Sequence, residues 1–414
     1  VKKNKSTLDL PSGRRRFIQN IILGAFSASL ASARFLSGKE KQSYRLKKGQ
    51  MFYRRLGRTN LLISEISLGG SPLPEMPILH QAIERGVNYI DTSYSYSNGN
   101  SERQIGQLFK EIGRDKVYVG TKFHLRRNWS EESIMKSVDR SLGRLKTDYL
   151  DVLLIHGADN EKHLTDERVL GAFEKLKKQG KYRFRGLSCH SNHHKVVKEA
   201  LDCGFYDMVQ LGYNVFDIQE TEEDIETYDD YLGQSGIRHL LALAKSKDVG
   251  IIAMKTLKVG GKRQNLEKYK TGTTTIYQAM LKWALENKNL TSAIIEMLTF
   301  EQLEEDLGVI GEPLSERERR TLYRYVAENS RDYCHMCGLC QANCPSLIKT
   351  TSILRYLAYY ENYEKINLAK QAYSRLKPAQ TASSCQNCGE CEGICPYEVS
   401  IRKKIREANI ILSS

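Results

Sequence analysis

The chain has 414 residues, 27% of them charged, 40% hydrophobic and 9% aromatic, which gives room for two or three folded domains and excludes a collagen, a mucin-like stalk or a disordered tail. Its formal net charge is +14, but residues 1–50 carry +10 of this and residues 51–414 only +4, so the basic excess is local and no nucleic-acid partner is expected. The cysteines are as uneven: Cys189 and Cys203 stand mid-chain, and the other eight crowd between 334 and 395, which calls for metal ligation or disulfide pairing.

Within residues 1–50, Ser12-Gly13-Arg14-Arg15-Arg16-Phe17-Ile18 precedes a moderately apolar stretch from Ile18 to Leu30, and Ala31-Ser32-Ala33 follows as a small-residue triplet suited to a signal peptidase. The apolar stretch is too short and too polar for a membrane span. The paired arginines before Phe17 resemble the twin-arginine export signal. That resemblance implies a periplasmic or other extracytoplasmic protein whose cofactor is installed before export, with membrane attachment only if the signal stays uncleaved. An unprocessed basic amphipathic arm is the alternative.

From Met51 the pattern alternates. Short β-branched or apolar runs at 64–68, 87–91, 117–121, 151–155, 185–189, 207–211, 250–254 and 292–296 read as strands. Amphipathic stretches of helical period follow them at 75–85, 101–113, 131–145, 166–179, 193–203, 236–247, 274–287 and 300–309. Eight strand–helix units over about 260 residues predict an α/β fold, a (β/α)8 TIM barrel. A doubly wound open sheet is the competing architecture, disfavoured because no G-x-G-x-x-G opens a helix after the first strand.

In such barrels chemistry sits at the C-terminal ends of the strands. Those ends carry Asp91 and, five residues later, Tyr96; then Lys122, His156, Ser188 and Gln210. Singly, each has a structural explanation in solvation or packing. Together they suit carbonyl reduction: a phenol donates a proton to the developing alkoxide, a lysine beside it lowers its pKa, an aspartate holds the ammonium, and a neutral histidine orients the carbonyl oxygen.

The segments Tyr53-Arg54-Arg55-Leu56-Gly57-Arg58, Gly86-Val87-Asn88-Tyr89-Ile90-Asp91-Thr92-Ser93, Tyr96-Ser97-Asn98-Gly99-Asn100-Ser101-Glu102, Thr121-Lys122 and Leu154-Ile155-His156 resemble the aldo/keto reductases over residues 51 to 310. That resemblance implies a TIM barrel binding NAD or NADP across its rim, with Asp91, Tyr96, Lys122 and His156 as the catalytic tetrad. It implies that Ser188 and Gln210 hold the nicotinamide carboxamide, and that Gly260-Gly261-Lys262 approach the pyrophosphate. Three positions depart from the family. Cys189 replaces the asparagine that follows Ser188, Met254 replaces the aromatic residue that stacks on the nicotinamide, and Glu296-Met297-Leu298-Thr299 replace the glycine and basic residue that hold the adenosine 2'-phosphate. The last departure counts against the phosphorylated cofactor. Cys189, His190, His193 and His194 lack a second thiol or a carboxylate to complete a metal site, and Cys203 reads as a small buried residue. The acidic run from Glu220 to Asp230 reads as a solvated loop after the sixth strand.

Beyond Gly311-Glu312-Pro313, a charged helix at 315–330 leads to Cys334-x2-Cys337-x2-Cys340-x3-Cys344-Pro345. The same spacing recurs as Cys385-x2-Cys388-x2-Cys391-x3-Cys395-Pro396. Disulfides are a poor explanation, since such short loops leave little chain to constrain. Zinc in all-cysteine sets is the better rival, because C-x2-C pairs alone do not distinguish it from iron and sulfur. The two runs resemble those of bacterial ferredoxins, in which three thiolates of one run and the fourth of the other bind each 4Fe-4S cluster. One cluster is then expected on Cys334, Cys337, Cys340 and Cys395, and the other on Cys385, Cys388, Cys391 and Cys344. Tyr356, Tyr359, Tyr360 and Tyr363 fall on one helical face between the runs, and the helical insertion resembles the α-helical ferredoxins.

The domains expected are an export signal with basic linker at 1–50, the barrel at 51–311, a linker helix at 312–330 and the iron–sulfur domain at 331–414. The function expected is an exported oxidoreductase that moves hydride between a nicotinamide cofactor and a small carbonyl or alcohol substrate, its two 4Fe-4S clusters relaying electrons to a redox partner protein. Converting hydride to single electrons ordinarily uses a mediator such as flavin, and no flavin motif stands in the chain. The alternative is a non-catalytic iron–sulfur carrier that uses its barrel as a docking platform.

Overall fold

A computed structural model describes residues 45–125, 129–219, 236–258 and 266–413. The export-signal residues 12–33, the acidic run from Glu220 to Asp230 and the Gly260-Gly261-Lys262 segment lie outside the described residues. Among the described residues no helix is long and apolar enough to cross a membrane.

Strands β1 (Leu46–Lys48), β2 (Met51–Arg55) and β3 (Leu62–Ser64) form an antiparallel sheet. Eight parallel strands then close into a barrel: β4 (Ile66–Gly69), β5 (Tyr89–Asp91), β6 (Tyr118–Phe123), β7 (Leu150–His156), β8 (Tyr182–Cys189), β9 (Met208–Gly212), β10 (Gly250–Met254) and β11 (Ser292–Ile295), the last pairing back onto the first. Around them run α1 (Met76–Glu84), α2 (Asn100–Ile112), α3 (Glu131–Leu145), α4 (Glu167–Lys178), α5 (His193–Cys203), α6 (Ile237–Ser246), α7 (Ile276–Glu286) and α8 (Phe300–Leu307). Local chemistry sets several helix starts. Ser130 caps α3 by accepting from the Ser133 amide, and Thr275 with Gln278 forms a capping box on α7.

The sheet β1–β3 was not legible in the strand–helix alternation, and it explains why the first barrel strand starts at Ile66 rather than at residue 64. Leu56, Leu61 and Ile63 plug the bottom of the barrel against Tyr89, Val152, Leu154, Met208 and Ile252. Gly57, in a left-handed conformation, makes the close approach possible: a Cβ there would lie 2.3 Å from the Gly250 nitrogen. At the crossing from plug to barrel stands the fully buried Glu65. Its carboxylate accepts from Arg45 Nε at 2.6 Å and Arg54 Nε at 2.7 Å, and Arg54 in turn donates to the carbonyls of Leu285, Asn287 and Leu290 at the end of α7. Because Arg45 and β1 belong to this network, the ordered sheet reaches upstream of residue 51.

Helix α9 (Glu316–Asn329) is not a free linker. Leu322, Tyr325 and Val326 are buried in the barrel's own core, and Glu318 pairs with Lys282 of α7 at 2.9 Å. Its apolar stripe, hidden among charges in the sequence, makes it a ninth outer helix.

The remaining helices, α10 (Leu339–Ala342), α11 (Thr350–Glu361), α12 (Ile366–Ser374), α13 (Glu390–Gly393) and α14 (Ile401–Leu412), enclose a separate core of Ile348, Ile353, Leu354, Leu357, Val399 and Ile405 among others. This domain sits on the C-terminal rim of the barrel. The Asn192 amide donates to Met336 O at 3.0 Å, Tyr333 stacks on Phe216 with centroids 4.1 Å apart, and Asn214 Nδ2 donates to Tyr333 OH. Farther round the rim, Arg355 Nη1 reaches Asp159 Oδ2 at 3.3 Å and Lys365 Nζ reaches Glu296 Oε1 at 2.6 Å and the Ser71 carbonyl.

Truncating Glu65 to Ala leaves the buried Arg54 guanidinium without its counter-charge, a loss on the order of 3–5 kcal/mol for a broken buried pair. Glu65→Ala is therefore expected to lower the thermal midpoint of the full chain well beyond an exposed control such as Glu132→Ala, read by far-ultraviolet circular dichroism; equal midpoints would contradict the assigned role.

Candidate active site and iron–sulfur recesses

Asp91 ends β5, Lys122 lies in β6 and His156 ends β7, so parallel pairing of these three strands brings their side chains to one rim. Tyr96 follows β5 in a tight turn whose next three residues, Ser97, Asn98 and Gly99, are all left-handed, a costly backbone that folds the tyrosine back over the barrel mouth. Lys122 Nζ contacts Asp91 Oδ2 at 2.5 Å, Thr92 O at 2.9 Å and Tyr96 OH at 3.5 Å. The second Asp91 oxygen accepts from Gln210 Nε2 at 2.6 Å. The Tyr96 and His156 rings meet edge to face at 5.7 Å, and His156 Nδ1 hydrogen-bonds Ser93 Oγ at 3.1 Å. His124, which the sequence analysis did not single out, stacks on His156 at 4.0 Å.

Desolvation governs the protonation states here. Burial, with the nearby charges of His124 and Lys122, drives His156 well below the ordinary histidine value, so the ring is neutral at pH 7. The expected acidification of Tyr96 is reversed. Burial first, and the Asp91 carboxylate second, hold the phenol well above its ordinary value. The reason is geometric: the ammonium is committed to Asp91 and a backbone carbonyl, so its charge is offset before it reaches the phenol. Tyr96 is thus a fully protonated donor rather than a preformed phenolate.

The residues expected to hold a nicotinamide are distributed around the same rim. Gln210 is buried against Asp91, and Met254 ends β10 half-buried. Ser188 is fully buried, its hydroxyl accepting from the Gly157 amide at 3.1 Å and donating to Ile155 O at 3.4 Å, so it serves the sheet as well as the rim. Just past β10, Thr256 Oγ1 is buried with no hydrogen-bond partner among the described residues. An orphaned hydroxyl at this end of the barrel fits a ribose or phosphate oxygen of such a cofactor. Cys189 donates its thiol to Ser191 O at 3.0 Å.

Besides His124, the sequence analysis missed Asp159, Lys255 and Arg355 at the rim, and the position of Tyr359 beside the tetrad. Lys255 immediately follows a strand end and was within reach of the same rule that found Lys122. It adopts a left-handed backbone, and burial, reinforced by the Lys258 and Arg355 charges, pushes its ammonium down to about 7. Arg355 and Tyr359 project from α11, nearly 200 residues away in the chain, and no local signal marks them as rim residues.

The eight clustered cysteines form two recesses. One is lined by Cys334, Cys337, Cys340 and Cys395; the other by Cys344, Cys385, Cys388 and Cys391. Each recess therefore joins three thiols of one run to the fourth of the other. Matching left-handed residues shape both loops: Met336 and Asn387, Gly338 and Gly389, Leu347 and Glu398. These turns aim backbone amides at sulfur, as where the Asn387 amide donates to Cys385 Sγ at 3.4 Å. The cysteines are free thiols, and among the described residues no three His, Cys, Asp or Glu groups converge on a single-ion site. Four thiols converging on one recess fit the all-cysteine ligation of an iron–sulfur cluster. The first recess abuts the barrel, with Lys258 Nζ 3.5 Å from Cys334 O and His335 Nδ1 3.5 Å from Asp217 Oδ1, whereas Cys388 of the second is exposed.

The depressed Lys255 has a sign that stability measurements can read. Between the folded value of about 7 and the unfolded value near ~10.4, the unfolded chain holds more protons, so this group's burden on stability is full below pH 7 and fades as pH rises. Lys255→Met is expected to stabilise the cluster-loaded protein more at pH 6 than at pH 10; a pH-independent difference in thermal midpoint would contradict a half-buried ammonium with no ion pair among the described residues.

Sequence comparison gives this geometry its context. Residues 73–274 match the Aldo/keto reductase family and residues 330–399 match the 4Fe-4S dicluster domain. L-galactose dehydrogenase of Arabidopsis thaliana is 28% identical over 297 residues, covering 63% of this chain and 88% of that protein. NADH-specific methylglyoxal reductase of Escherichia coli is 26% identical over 324 residues, covering 66% of this chain and 97% of that protein. Among solved structures, the holo form of an aldo-keto reductase from Bacillus halodurans shares the barrel fold with a TM-score of 0.53 at 22% identity, covering 66% of this chain and 95% of that one. Tetrad, barrel and cysteine runs converge on one conclusion: the chain is an oxidoreductase in which an aldo/keto reductase domain at residues 73–274 is followed by a 4Fe-4S dicluster domain at residues 330–399.

Proposed function

We propose that the barrel transfers hydride between a bound nicotinamide cofactor and a small carbonyl or alcohol substrate, and that two 4Fe-4S clusters relay electrons between this site and a redox partner protein. The observation that carries the reading is the assembled tetrad, with Lys122 Nζ 2.5 Å from Asp91 and 3.5 Å from Tyr96 OH, directly beneath the iron–sulfur domain.

In the reducing direction a bound nicotinamide would supply the hydride, and Tyr96 OH donates the proton to the carbonyl oxygen. Lys122, held charged by Asp91, stabilises the phenolate left behind until solvent returns its proton. Neutral His156 donates a hydrogen bond to the carbonyl oxygen and orients it. Gln210 and Thr256 would hold the cofactor's polar groups. Glu296, at the end of the last strand, disfavours an additional 2'-phosphate, so NAD is the preferred form.

The cysteine quartets would each hold one cluster, and two one-electron clusters would together match the two electrons of one hydride. Exposure suits an order of transfer in which the quartet containing Cys388 would face the partner, since the quartet containing Cys334 lies against the barrel. The twin-arginine resemblance supports export of the folded, cluster-loaded protein to the periplasm with its nicotinamide retained.

The expected composition of purified protein is eight iron and eight acid-labile sulfide per chain, on the order of two 4Fe-4S clusters; half that content would overturn the two-cluster reading. Tyr96→Phe is expected to lower kcat for carbonyl reduction by at least about 100-fold while the visible absorption of the clusters persists. Unchanged electron transfer together with no loss of substrate turnover in that variant would instead favour a barrel that serves only for docking.

A further inference from the structure

The iron–sulfur domain contributes more than redox centres to the rim. Its helix α11 places Arg355 beside the tetrad, where the guanidinium charge is felt by His156, His190 and Lys255. Arg355 Nη1 contacts Asp159 Oδ2 at 3.3 Å, but Arg355 Nε is buried with no hydrogen-bond partner among the described residues. His190 Nδ1 is also buried without one, and the His190 ring lies 5.9 Å from that of His156.

The charges do not balance at this point. Asp91 is engaged by Lys122 and Gln210. Asp159 is shared among Arg355 and the amides of His190 and Ser191. Asp217 faces His335 and the first cysteine recess, on the side of Lys258. Lys255, half-buried just past the end of β10, has no ion pair among the described residues. Taking cations out of water without a counter-charge is costly, and protein interiors retain such an arrangement where an anion completes it.

We infer that Arg355, Lys255 and His190 form an anion subsite beside the tetrad, and that the carbonyl substrate carries a carboxylate. The fork of Arg355 Nε with its neighbouring Nη nitrogen suits the two carboxylate oxygens, and Lys255 supplies the second positive charge. Because Arg355 comes from the iron–sulfur domain, substrate recognition is divided between the two domains. The inference rests on the oxidoreductase reading of the same tetrad and adds the substrate class to it. Lys258, which faces the Cys334 recess, serves the other function expected of rim cations, offsetting thiolate charge.

The test uses the full-length, cluster-loaded protein. 4-Oxobutanoate and 4-methylpentanal match in length and shape, and only the former is an anion. The kcat/KM for 4-oxobutanoate is expected to exceed that for 4-methylpentanal by at least tenfold, about 1.4 kcal/mol. Arg355→Gln and Lys255→Met should each reduce that preference at least tenfold, and each should weaken succinate binding, measured by calorimetry, by a similar factor. Equal use of both aldehydes, or a preference and a succinate affinity that neither substitution alters, overturns the subsite while leaving hydride transfer intact. Succinate binding that depends on Arg355, in a protein that turns over neither aldehyde, upholds the subsite and removes the reductase reading instead. Should Arg355→Gln lose its visible cluster absorption, Lys255→Met, which lies on the barrel, carries the test.

Discussion

Burial of charge at the barrel rim is the constraint on which the rest of the structure depends. The Asp91–Lys122 pair is removed from water almost completely, an arrangement that pure Coulomb attraction repays only when further hydrogen bonds complete it. Gln210 and the Thr92 carbonyl provide them. The cover that keeps water out is the iron–sulfur domain, whose Tyr359 adds to the field at Tyr96 and whose Lys365 clasps Glu296 and the Ser71 carbonyl across the mouth. Desolvation then fixes the chemistry: it keeps Tyr96 a neutral acid and His156 a neutral hydrogen-bond donor, the two states that carbonyl reduction requires.

The same cover joins the two domains at the rim. The first cysteine recess is bonded to the barrel through Met336, Tyr333 and Lys258, while the second faces outward with the exposed Leu347 and Ile394 nearby in the chain. The two cysteine recesses thus lie one toward the rim and one toward the surface, as the proposed relay requires. The matching left-handed residues in the two cysteine loops show that both runs solve one backbone problem in the same way: wrapping amides around sulfur demands turns that L-residues resist, and glycine at 338 and 389 relieves part of that strain.

Much of this was legible in the sequence, for an identifiable reason. Alternating apolar strands and amphipathic helices encode a barrel locally, so all eight strands fall within a few residues of their expected bounds, and the strand-end rule collected Asp91, Tyr96, Lys122 and His156. The ferredoxin resemblance likewise implied the crossed quartets that line the two recesses. What escaped was decided by tertiary contact. The plug strands are too short to show a period, and the apolar stripe of α9 is masked by its charges. Arg355 could not be placed on the rim before α11 was docked. The sign of the Tyr96 shift was misjudged because residue types reveal a neighbouring ammonium but not how far that ammonium is neutralised or how completely the phenol is desolvated.

The central claim is that chemistry at the tetrad and the oxidation state of the clusters are linked within one chain. Freeze-quenched electron paramagnetic resonance on anaerobic, oxidised protein mixed with NADH tests it most directly. The account predicts signals of reduced 4Fe-4S clusters appearing on the timescale of turnover, first from the centre nearer the barrel. Clusters that stay silent while NADH is consumed and carbonyl is reduced would contradict it.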